Sequence, residues 1–134
     1  MASEPIDTLV IHPGALGDVL QAVPALSSLG QLGHRITFAG QPRLGDLLVG
    51  SGLVLAATPF DTFGIEALFS DAPVPDRLAS RLARFQRAVS WFGVRELDYG
   101  SRLRTFIPET IVAAPVPGDA SPLTVWEHLV ETLG

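Results

Sequence analysis

Cysteine is absent from the 134 residues, which excludes disulfide scaffolds, thiol catalysis and cysteine-ligated zinc or iron–sulfur centres. Lysine is absent as well, so all nine basic residues are arginine. The three histidines, His12, His34 and His128, lack metal-ligand spacing, and neither a metal nor a cofactor is expected. Charge is scarce at 17% against 47% apolar residues and a mean hydropathy of +0.35, a balance that excludes intrinsic disorder for the bulk of the chain. No apolar run reaches the ~20 residues of a bilayer span. The longest, residues 47–60, is interrupted by Gly50, Ser51, Gly52 and Pro59, so no transmembrane segment is expected. The acidic start Met1-Ala-Ser-Glu-Pro-Ile-Asp7 has no basic region leading into an apolar one; a secretory signal is not supported and a cytoplasmic location is expected.

What is present suits one domain, 1–134, large enough to hide roughly two-thirds of its surface on folding. The net charge of −5 argues against nucleic-acid binding but conceals an asymmetry. Residues 77–104 hold seven arginines against two acids, a net +5; the rest holds two arginines against twelve acids, a net −10. A basic segment on an acidic body suits an anionic partner, although a solvated arginine face is the commoner origin of such a row.

Short apolar runs predict strands at Thr8–His12, Arg35–Ala39, Leu53–Ala57, Ala88–Trp91 and Thr110–Ala114. Helical spacing fills the intervals: Asp18–Leu32 with Pro24 inside it, Pro42–Val49, Asp76–Gln86 and a polar helix before the fifth strand. A last helix is capped by Ser121, opened by Pro122 and faced by Trp126, Leu129, Val130 and Leu133. Residues 61–69 read as weak helix or loop, and both tryptophans as core. Alternating strands and helices predict an α/β three-layer, Rossmann-like domain around a mostly parallel sheet.

In such sheets ligands lie at the carboxyl ends of the strands, which directs attention to the first turn, His12-Pro13-Gly14-Ala15-Leu16-Gly17-Asp18. As a dinucleotide fingerprint it fails, because His12 stands where the first glycine belongs and the second strand ends in Ala39-Gly40 without a ribose-binding acid. A P-loop is excluded by the lack of Gly-Lys. An independent nucleotide-binding domain is thus the weakest reading. What remains is a glycine turn, through Gly14 and Gly17, that is either a tight strand-to-helix connection or an approach for another molecule. It is followed at once by a carboxylate, Asp18, that on residue grounds is a helix-start acid.

The run His-Pro-Gly-Ala-Leu-Gly-Asp-Val-Leu-Gln-Ala-Val-Pro-Ala-Leu, residues 12–26, resembles the N-terminal signature of glycosyltransferase family 9, the ADP-heptose:lipopolysaccharide heptosyltransferases. Gln41-Pro42-Arg43, Ser90-Trp-Phe-Gly93 and the closing Ala-Ala-Pro…His-Leu-Val-Glu-Thr-Leu-Gly are similar to later segments of the same N-terminal domain. The resemblance implies the N-terminal, acceptor-side half of a GT-B enzyme, whose donor-binding domain is not among these residues. It makes Asp18 the general base of an inverting transfer and puts the acceptor around His12, Gly14 and Gly17. The row Arg77, Arg81 and Arg84 is either a solvated face or a dock for an anionic glycolipid acceptor, with peripheral membrane contact. A nucleotide sugar is expected to bind only with a donor domain, so the chain alone is expected to be inactive. The alternative is a non-enzymatic remnant or a partner- or glycolipid-binding module of the same fold.

Overall fold

The computed structural model describes residues 4–134. Five strands, β1 (Ile6–Ile11), β2 (His34–Gly40), β3 (Ala56–Pro59), β4 (Arg87–Ser90) and β5 (Glu109–Val112), form one sheet in the order β3-β2-β1-β4-β5. Every pairing is parallel. The domain is therefore α/β and Rossmann-like, as the alternation of runs predicts. Its strand order reverses at β1, where the chain leaves one half of the sheet and later returns through β4 on the other side.

Strand residues alternate between two cores. Val10, Ile36, Phe38 and Val89 face α1 (Leu16–Gln21), α2 (Val23–Gln31), α3 (Pro42–Gly50) and α7 (Val125–Thr132). Leu9, Ile11, Ala39 and Ala88 face the other layer, built from α4 (Phe60–Phe63), a 3-10 turn at Ile65–Phe69, α5 (Asp76–Leu82) and α6 (Leu97–Phe106). Burial of each Leu or Ile contributes about 1.5–3 kcal/mol, which explains why central strands read as unbroken apolar runs.

Several boundaries differ from the sequence reading, each for a local reason. The helix predicted over 18–32 is two helices meeting at Ala22, because Pro24 has no N–H for the carbonyl of Leu20. It stops as expected at Gly33, whose φ of 90° is the left-handed close of a helix. The third strand begins at Ala56 rather than Leu53, since the Leu53 amide closes α3 by donating to Leu48 O at 3.2 Å. The fifth helix ends at Leu82, not Gln86: Gln86 already pairs with β1, its amide donating to Asp7 O and its Oε1 accepting from Asp7 N, both at 2.9 Å. The last helix is capped by Thr124, not Ser121; Thr124 and Glu127 form a reciprocal capping box, while Ser121 Oγ closes a turn by accepting from Leu123 N. Trp91 is buried, but Trp126 is 46% exposed and lies outside the core.

Candidate functional site

The carboxyl ends of β1, β4 and β5 open into a cleft of about 570 Å³ whose lining includes His12, Gly14, Asp18, Trp91, Arg95 and Val116. It sits beside the strand-order reversal, between the segments that leave β1 and β4. Each wall is fixed by bonds continuing the sheet: His12 N donates to Ala39 O, Trp91 N to Ile11 O and Ala113 N to Ser90 O, all at 3.0 Å. The final helix braces two walls at once. Trp91 Nε1 donates to Thr132 Oγ1 at 2.9 Å, and His128 Nε2 lies 2.8 Å from Ala114 O.

Asp18 is the third residue of α1 and is exposed on the cleft. Its Oδ2 accepts from Ala15 N at 3.3 Å, half of a capping box whose other half the Ala15 methyl cannot supply. No ion pair among the described residues involves Asp18. The carboxylate therefore keeps lone pairs facing the cleft while its backbone is held in the first helical turn.

His12 is 2% exposed and packs edge-on against Trp91, ring centroids 5.8 Å apart. Its Nδ1 accepts from Gly14 N at 3.2 Å, which makes Nε2 the protonated nitrogen of the neutral ring. Burial holds its pKa below the ordinary histidine value, against an upward pull from Asp18. Among the described residues, Nε2 is the single buried side-chain polar atom with no hydrogen-bond partner. Gly14 is required by space: a Cβ there would come within 2.7 Å of His12 Cε1 and 3.0 Å of Asp18 Cβ. Around Gly17 nothing lies within 4 Å of a Cβ position, so the fold makes no steric demand for glycine there.

The structure does not bring the arginine row to this cleft. Arg77 is exposed on α5, Arg81 and Arg84 line a separate cleft, and Arg84 lies beyond the end of the helix. The cation that does line the Asp18 cleft is Arg95, on the β4–α6 loop. It belongs to the basic segment, but only the register of β4 against β1 places it there. Its loop turns at Gly93, φ 79°, above stacked rings: Phe69 lies 4.8 Å from Tyr99, and Phe92 meets both edge-on. Four other arginines of the segment are internal clamps. Arg81 donates to Thr62 O and Phe63 O, Arg87 to Leu133 O, Arg102 to Leu68 O and Asp71, and Arg104 to Thr110 O.

Among the described residues no three His, Asp or Glu side chains gather as metal ligands would. No helix among them is long and apolar enough to cross a membrane. A scan of family models and a search of curated proteins each return no match to this chain.

Proposed function

We propose that this domain is the acceptor-binding half of an inverting, heptosyltransferase-like glycosyltransferase, with Asp18 as its general base. The observation that carries the reading is the position of an exposed, unpaired carboxylate on the cleft at the strand-order reversal, on the residue that the family resemblance marks. In the proposed reaction the Asp18 carboxylate takes the proton from an acceptor hydroxyl as that oxygen attacks the anomeric carbon of a nucleotide sugar. The C–O bond to the diphosphate breaks on the opposite face, configuration inverts, and the nucleoside diphosphate leaves with the electron pair. Arg95 supplies positive charge to an anionic acceptor in the same cleft. The donor diphosphate, whose developing charge is the larger electrostatic demand, is held in this reading by a second α/β domain. Exposed Leu16, Val94, Val116 and Trp126, on segments that form or adjoin the cleft, supply apolar surface for that contact.

The bond from Ala15 N to Asp18 favours a second reading, a glycolipid- or partner-binding module in which the carboxylate only starts a helix. Sugar transfer by the chain joined to a heptosyltransferase donor domain separates the two. The chain alone is expected neither to bind ADP-heptose with micromolar affinity nor to transfer it; the joined protein is expected to transfer. Asp18→Asn is expected to lower that transfer by about 10²–10⁴-fold, the usual contribution of a general base. Transfer that survives Asp18→Asn unchanged would reject the catalytic role.

A further inference from the structure

Arg81 and Arg84, displaced from the Asp18 cleft, meet in a second one of about 430 Å³. Its floor is the sheet. Asp7, Thr37, Ala56 and Thr58 stand on one face, because Leu9 pairs with Thr37, Thr37 with Ala56 and Ala39 with Thr58, while Ile36 and Phe38 turn to the other. The lining runs from Asp7, near the amino end of β1, to Thr58, level with Ala39 and Ile11, and lies on the face of the sheet opposite to the one that α1 covers. Phe63 and Phe85 provide apolar walls.

The charges are arranged for an anion. The one acid in the lining, Asp7, is occupied by Arg35 through two bonds of 2.8 and 3.0 Å. Arg81 is held in advance: Nη1 donates to Thr62 O at 2.8 Å and Phe63 O at 3.1 Å, and its guanidinium carbon lies 5.8 Å from the Phe63 ring centre. That leaves its Nε and Nη2 hydrogens to donate elsewhere without further loss of side-chain freedom. Neither Arg81 nor Arg84 takes part in an ion pair among the described residues. Two half-buried threonine hydroxyls on the floor add donors of the neutral kind.

Two guanidinium groups and two hydroxyls lining one cleft match the oxygens and the charge of a phosphate better than the single charge of a carboxylate. The whole-chain charge of −5 repels an extended polyanion, which leaves a single compact phosphate as the suitable partner. We infer that this second cleft binds a phosphomonoester carried on a compact apolar or aromatic body, held by Arg81, Arg84, Thr37 and Thr58, independently of the Asp18 cleft.

The test is amide NMR of the full chain titrated separately with phenyl phosphate, inorganic phosphate and phosphatidate vesicles. Phenyl phosphate is expected to move the amides of Thr37, Thr58, Arg81 and Arg84 and to leave those of residues 12–18 and 91–95 in place. Arg84→Gln and Thr37→Val are each expected to weaken it about tenfold, the usual scale for one lost charge-assisted or hydroxyl contact. Arg84 is exposed and outside helix α5, so its variant retains the fold; Arg81, which braces two carbonyls, is left unchanged. Asp18→Asn is expected to have no effect on this binding. Tighter binding to vesicles through the same residues would identify a lipid headgroup as the source of the phosphate. Inorganic phosphate binding as tightly as phenyl phosphate would overturn the organic body, and shifts absent with all three probes, or indifferent to Arg84→Gln, would overturn the site.

Discussion

Gly93 shows how one residue sets the shape of the candidate cleft. It has φ 79°, a conformation that L side chains rarely adopt, and a Cβ there would lie 2.6 Å from Tyr99 Cδ2 and 3.2 Å from Phe69 Cζ. The ring it would strike cannot withdraw. Tyr99 is fully buried, its hydroxyl 2.8 Å from Ser90 Oγ, and burial pushes its pKa up to about 12 despite that bond. Gly93→Ala is therefore expected to destabilise the domain by about 2–4 kcal/mol, combining left-handed backbone strain with overpacking. Urea unfolding checks the magnitude. Amide shifts at Trp91 and Arg95 that exceed those elsewhere would show that the cost falls on the cleft wall.

At the level of elements, α7 is the brace. It packs against α1 and α2, and it reaches Trp91 through Thr132 and Ala114 through His128, so the cleft depends on the helix starting where it does. The start is fixed by the Thr124–Glu127 box, in which Thr124 Oγ1 and N both donate to Glu127 Oε1 and hold its carboxyl below the usual carboxylate range. Thr124→Ala is expected to cost about 1 kcal/mol at neutral pH, measured by denaturant midpoint at unchanged slope. The lowered Glu127 pKa means that the box contributes above the unfolded carboxyl value of 4.5 and fades as pH falls through the folded one. The cost of Thr124→Ala is therefore expected to shrink in acid.

For the molecule as a whole, two histidines are expected to contribute to the acid edge of stability. The pKa of His12 is lowered by burial, with Asp18 opposing; that of His34 is lowered by burial and then by Arg87, with Glu109 opposing. Both therefore bind a proton more readily in the unfolded chain, whose histidines titrate near 6.5. Their neutral forms contribute stability that is complete above that value and lost as pH falls through the folded pKa values. The melting temperature is expected to decline from pH 7 toward pH 5, and His12→Gln to flatten the decline. A slope unchanged in His12→Gln would show that His12 does not govern the acid edge.

The alternating apolar runs determined the layers by themselves, because a strand buried on both faces admits few polar residues and a crossover helix must bury one stripe. The glycine turn and Asp18 were legible for the same reason: the first βα connection of such a sheet is local in sequence. The Thr124-x-x-Glu127 signature was also present in the sequence, but Ser121-Pro122 offered a competing start that only the packed helix excludes. What tertiary structure alone decided was which distant residues share a cleft. Arg77, Arg81 and Arg84 look like neighbours of a site when counted along a helix, yet α5 ends at Leu82, before Arg84, and it is Arg81 and Arg84 that line a cleft together, away from Asp18, with Arg77 outside its lining. Arg95, unremarkable in sequence, reaches the Asp18 cleft because β4 docks beside β1 in parallel register. Strand order is fixed by burial summed over the whole sheet, a quantity that no local window of the chain contains.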